Sequence, residues 1–189
     1  MADLYGSSDV TIRSDDGSQV VTISTDSAYQ RLDVCNLTMP HQRIHNQQRF
    51  FCNRYASGLS NGTNYDLSIV THATTKAHMV IDARWLATGR VEIYEGATLS
   101  NNGTALTVTN RDRNSATVGV TLLYHTPTVT NTGTLILASL HGTTTFDMQP
   151  LMNNFDTELI LKTNTKYLIR MASTSGSNAY SILWDWYEV

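Results

Sequence analysis

Six histidines, two closely spaced glutamates and a serine-rich background are the residues of this chain with the means to do chemistry. His41 and His45, in Met39-Pro-His-Gln-Arg-Ile-His-Asn, stand four apart, so a helix would turn both rings to one side as a metal pair. No third ligand follows at a recognisable spacing. His72 and His78 flank a turn, where a hairpin would bring them face to face, and His125 and His141 fall at the ends of expected strands. A cupin-like metal site needs two histidines and a carboxylate on facing strands, usually with an H-x-H pair, and the chain has no H-x-H. The histidines read as polar loop residues. Glu92 and Glu95 lie three apart on one expected strand, so they point to opposite faces and cannot share a substrate. Asp112, in Arg111-Asp-Arg-Asn, reads as part of a surface charge cluster. There is no G-x-S-x-G elbow and no glycine-rich phosphate loop, and Gly58-Leu-Ser-Asn-Gly is a turn-rich linker. The expectation is a chain that is not an enzyme and holds no metal or cofactor.

The elements that would carry such residues are strands. Hydrophobic residues make up 41% of the 189, but charged residues only 15%, well under the usual quarter. Hydroxyl and amide side chains take their place, nowhere more than in Arg90–Thr134, where Thr and Val suit a pleated surface and Asn-Gly supplies turns. Such a surface is covered at little desolvation cost, which suits a protein packed against a partner. A formal charge of −3 with pI near 6.0 and no basic stripe argues against nucleic acid. No apolar run is long enough to span a membrane. The opening MADLYGSSDV lacks the features of a secretory signal, so the expectation is a soluble chain made inside a cell. Cys35 and Cys52 fit no metal spacing and read as two buried free thiols in preference to a disulfide.

Organisation changes near residue 60. In residues 1–60, Val10-Thr11-Ile12 and Gln19–Ile23 read as short strands around Ser14-Asp-Asp-Gly-Ser, and the rest has neither strand nor helix period, as an extended N-terminal arm would. Residues 61–189 are regular. Met79, Ile81, Ala83 and Trp85 fall on one face and Val80, Asp82 and Arg84 on the other, and Tyr180, Ile182, Trp184 and Trp186 alternate with Ser181, Leu183, Asp185 and Tyr187. Further strands are expected at Tyr65–Thr71, Arg90–Glu95, Thr104–Thr109, Thr117–Tyr124, Gly133–Leu140, Thr157–Lys162 and Lys166–Ala172, with longer connections at Asn110–Ala116 and Gly142–Thr157. The predicted fold is all-β, an antiparallel sandwich of jelly-roll type. The aromatic stripe Tyr180, Trp184, Trp186, Tyr187 has two readings, core strand or sugar-stacking platform, and the company of Ile182 favours the core.

Four runs carry a family resemblance: Met39-Pro-His-Gln-Arg-Ile-His-Asn with Arg49-Phe, Tyr94-Glu-Gly-Ala-Thr-Leu-Ser-Asn-Asn-Gly-Thr-Ala-Leu-Thr, Asn110-Arg-Asp-Arg-Asn-Ser with Tyr124-His-Thr-Pro-Thr-Val-Thr, and Asn164-Thr-Lys-Tyr-Leu-Ile-Arg with Trp186-Tyr-Glu. Over residues 39–189 the chain resembles the head decoration, or capsid cement, proteins that tailed bacteriophages encode beside the major capsid protein. It departs from them at Asn46-Gln47, where members carry Glu-Gly, and residues 1–38 have no counterpart. The resemblance implies a virion protein assembled in the host cytoplasm and seated on the capsid exterior, a homodimer or homotrimer bound to the major capsid protein. The arm would then lie along the shell or add a strand to a neighbour's sheet, with Met39, His41, Ile44, His45, Phe50, Phe51 and Tyr55 as its contact residues. The competing class is a carbohydrate- or receptor-binding module of a phage fibre, although no coiled-coil or repeated trimerisation segment is visible.

Overall fold

The computed structural model describes residues 10–13, 20–23, 39–141 and 158–189, and the chain divides into two units, Met1–Asn36 and Leu37–Val189. In the first unit β1 (Val10–Arg13) and β2 (Val20–Ile23) pair antiparallel, with Val10 opposite Ile23 and Arg13 opposite Val20. These are the two β-branched runs read as strands. Their connecting turn and Cys35 lie outside the described residues.

The second unit begins with a short helix, α1 (Met39–His45), and continues in strands: β3 (Arg49–Leu59), β4 (Asn64–Val70), β5 (Ala77–Trp85), β6 (Gly89–Glu95), β7 (Thr98–Asn101), β8 (Thr104–Ala105), β9 (Thr109–Asn110), β10 (Leu122–His125), β11 (Thr128–Asn131), β12 (Thr134–His141), β13 (Leu159–Ile160), β14 (Lys166–Ser173) and β15 (Asn178–Glu188). One sheet runs β13-β5-β15-β3-β9, the other β12-β6-β14-β4-β10-β8, and a separate ribbon pairs β11 with β7. With β7–β11 set aside, eight strands remain among the described residues of this unit. Counted along the chain they lie first-eighth-third-sixth in one sheet and second-seventh-fourth-fifth in the other. That interleaving of two Greek keys is the jelly roll, as the strand spacing predicted.

The core forms where the inward rows of the two sheets meet. β15 contributes Tyr180, Ile182, Trp184 and Trp186, β5 contributes Met79, Ile81, Ala83 and Trp85, and β14 contributes Tyr167, Ile169 and Met171. Trp184 and Trp186 are wholly buried and Tyr180 nearly so, so these three of the stripe are core and offer no sugar platform, while Tyr187 lies on the opposite face. At the entry to β6 the indole of Trp85 rests on the backbone of Gly89, where a Cβ would lie 2.4 Å from Trp85 Cδ2; only glycine leaves room.

The boundary at residue 60 is corrected. β3 is a central strand, paired with β15 so that Cys52 faces Trp184 and Phe50 faces Trp186, and Phe50, Cys52 and Leu59 are buried between the sheets. Residues 49–59 therefore belong to the sandwich, and the divide lies at Asn36–Leu37. The Arg90–Thr134 stretch is also resolved into parts. After β6 it leaves the jelly roll as an insertion: β7 and β11 form the ribbon, β10 and β8 extend one sheet beyond β4, and β9 borders the other beyond β3. The insertion thus covers one side of the sandwich with short strands, a common way to blunt sheet edges.

Candidate functional site

On the outer face of the β15 sheet, side chains that point away from the core form two linked polar clusters. Asp185 receives Arg49 Nε on Oδ1 at 3.0 Å and Arg49 Nη2 on Oδ2 at 2.9 Å, and Arg111, from the insertion, donates to the same carboxylate. The Arg111 guanidinium also lies 4.8 Å from the centre of the Phe51 ring. Arg111 is thus committed to the sheet, which corrects its reading as part of a surface cluster with Asp112. The second cluster joins His78 Nδ1 to Glu158 Oε1 at 2.7 Å, with the Tyr187 hydroxyl donating to Glu158 at 2.9 Å and the two rings stacked 4.6 Å apart. Burial, and then the bond to the Glu158 carboxylate, push the Tyr187 phenol up to about 12. It stays a protonated donor. His72 is turned elsewhere, accepting from the Thr74 and Thr75 amides, so the two hairpin histidines do not meet.

Helix α1 lies against this face. Arg49 Nη1 donates to the Pro40 carbonyl at 3.3 Å, Tyr187 points its hydroxyl at Met39 Sδ at 3.8 Å, and Arg43 stands over the Tyr187 ring. Pro40, in the first turn, and basic Arg43 and His45, in the last, suit a short helix. His41 and His45 do turn to one side, with their Nε2 atoms 3.0 Å apart. Among the described residues, however, no group of three or more His, Cys, Asp and Glu could hold a metal.

The contact residues expected from the sequence separate. Met39 is 57% exposed and Tyr55 63% exposed, His41 and His45 are exposed, and Ile44 is half-buried. Phe50 is not available for contact, because its inward position on β3 places it against Trp186 at 5.9 Å between ring centres. Phe51 is half-buried beneath Arg111. Glu92 and Glu95 part as expected. Glu92 takes Arg90 at 2.6 Å and the Tyr94 hydroxyl at 2.8 Å on the outer face, while Glu95 takes Lys162 and Tyr167.

Two features went unread in the sequence. The first is the far side of the sandwich, where, among the described residues, β12 is the last strand of its sheet and β13 the last of the other. Over Thr134–His141 there is no charged residue, and Leu135, Ile136 and Leu140 are 48%, 43% and 82% exposed. A β-bulge at Ile136 bends this edge. The run TLILASLH was the available signal, since an uncharged apolar strand normally sits inside a sheet. The second is Arg54, which occupies the inward row of β3. Compared with protein-family models, with curated proteins and with solved structures, the chain matches none.

Proposed function

We propose that this chain is a non-enzymatic virion structural protein that binds the outer surface of a phage capsid and stabilises it as a decoration or cement protein. The observation that carries this reading is the edge strand β12, with an unpaired side among the described residues and three exposed aliphatic side chains gathered on one uncharged strand. Sheet edges of this kind are usually blunted by charge, and a persistent apolar edge marks a contact surface. Repetition over a symmetric lattice would let a weak contact per copy hold firmly. The major capsid protein is the partner, the chain acts as a dimer or trimer on the capsid exterior, and Met39 and Tyr55 are supplementary contacts.

Co-sedimentation with empty expanded heads tests the reading. The wild-type chain should pellet with heads in a saturable fashion, and Leu135→Lys/Leu140→Lys should lose at least tenfold in affinity with an unchanged circular dichroism spectrum. A wild-type chain that stays in the supernatant, or a double variant that binds equally well, would overturn it.

A further inference from the structure

On the side of the sandwich away from β12, a cleft of about 460 Å³ opens between β3 and β4 where the insertion returns at His125-Thr126-Pro127. Arg54 enters it from a position that alternation reserves for the core. Phe50 and Cys52 precede it in the same row, and its cross-strand partner is the wholly buried Ile182. Its guanidinium hydrogen-bonds the Tyr180 hydroxyl and lies near His125, yet Nε is buried with no hydrogen-bond partner, and no carboxylate among the described residues pairs with it. Asp66, at the rim, is taken up by Arg170 through bonds of 2.8 and 2.9 Å. An inward, incompletely bonded arginine is costly, and a side chain kept at such cost points to a ligand that completes it.

A second observation falls on the same cleft. Thr126 has φ 54°, a left-handed conformation that β-branched residues rarely adopt. It is held there by its amide donating to the Asp66 carbonyl at 3.0 Å and its hydroxyl to the His125 carbonyl at 2.7 Å. Backbone strain of this kind gathers at ligand sites. The remaining walls are the rings of Tyr65 and Tyr180, 6.1 Å between centres, with Ala56, Leu59 and Pro127.

From this lining we infer that the cleft binds a carboxylate-bearing monosaccharide, its carboxylate on Arg54 and an apolar ring face against Tyr65, the half-buried one of the two tyrosines. One guanidinium with no carboxylate partner among the described residues suits a monoanion better than a dianionic phosphate, and the size is that of a small-ligand pocket. The ring of Tyr65 gives the stacking surface that a sugar uses, with Tyr180 behind it in the core. The cleft lies at the other end of the strand order from β12, and Tyr55, though it neighbours Arg54 along β3, points to the opposite face, so the two sites can be tested separately.

Titration of the full chain with glucuronic acid, N-acetylneuraminic acid, glucose and N-acetylglutamate, followed through the backbone amides of His125 and Thr126 by NMR, tests the inference. At least one sugar acid should shift both amides saturably, while glucose at the same concentration leaves them in place. Arg54→Met should weaken the acid at least tenfold, and Arg54→Lys should weaken it too, because the charge remains but the paired donors do not. Co-sedimentation with heads should be unaltered in both. Amides that neither sugar acid moves, equal binding by a folded Arg54→Lys, or saturation by N-acetylglutamate alone would overturn the sugar-acid assignment.

Discussion

Arg49 grips Asp185 with two nitrogens across the β3–β15 pair, Nε to Oδ1 at 3.0 Å and Nη2 to Oδ2 at 2.9 Å, with side-chain exposures of 14% and 12%. The pairing register sets Asp185 opposite Phe51 and Arg49 opposite Tyr187, so the ion pair spans a diagonal of the ladder and helps fix it. Asp185 is the common acceptor for Arg49 and Arg111. Asp185→Asn would leave two guanidiniums facing a neutral amide in a poorly solvated place. Removing one partner of a half-buried pair costs on the order of 3 kcal/mol. Arg111→Ala should cost less than half of that, because Arg111 is more exposed and Arg49 keeps its hold. Urea unfolding of the two variants measures the difference; equal effects would show that Arg49 and Asp185 do not form the dominant pair.

Glu188 ties the end of the chain to the insertion. Its carboxylate accepts from the Val120 amide at 3.0 Å, the Thr121 amide at 2.8 Å and the Trp186 indole at 3.0 Å. The amides of residues 120 and 121 thus find their partner in a side chain. Glu188→Ala would orphan the buried Thr121 amide and the indole, at about 1–3 kcal/mol for each group left unsatisfied. Limited proteolysis should then cut within residues 111–121 faster than in the wild type, while Glu188→Gln, which keeps an acceptor oxygen, should fall between the two. A variant as resistant as the wild type would show that other contacts hold the segment.

These anchors explain how much was legible in the sequence. β5 and β15 announced themselves because their inward residues are apolar and many outward ones polar. β3 did not, because Arg54 stands in its inward row while Phe51 and Tyr55 point outward, which erases the alternation. The expected strand Thr117–Tyr124 begins only at Leu122, since Val118 is 73% exposed and the next amides go to Glu188. β8 and β9 hold two residues each, too few for any period to show. The Arg54 cleft joins β3, β4 and the end of the insertion, positions brought together by pairing alone, so no local motif marks it.

Cys52 is a free thiol in the inward row of β3, and burial pushes its pKa up to about 11. At pH 8 it should therefore be almost wholly a protonated thiol out of reach of reagents. In a Cys35→Ser variant, a chromogenic disulfide reagent should modify Cys52 at the rate of global unfolding, rising steeply with urea and independent of reagent concentration when reagent is in excess. A rapid reaction in buffer, proportional to reagent, would place the thiol at the surface.

His125 gives the cleft a measurable pH signature. Partial burial of its ring, and then the charge of Arg54, hold its pKa below the ordinary 6.5. The other ionisable groups lining the cleft are Arg54, Asp66, occupied by Arg170, Tyr65, and Tyr180, whose phenol is pushed up by burial. Between the lowered folded value and 6.5, the unfolded chain binds more protons at this site than the folded one. Stability from His125 is therefore full above the unfolded pKa and declines as pH falls through the folded one. The melting temperature of the wild type should drop relative to His125→Gln as pH is lowered from 7 to 5. Arg54→Met, by removing the opposing charge, should flatten part of that slope, and saturation with a carboxylate ligand should flatten it further by favouring the imidazolium. Parallel pH profiles for wild type and His125→Gln would show that the ring is as well solvated in the folded chain as in the unfolded one, and that Arg54 does not act on it.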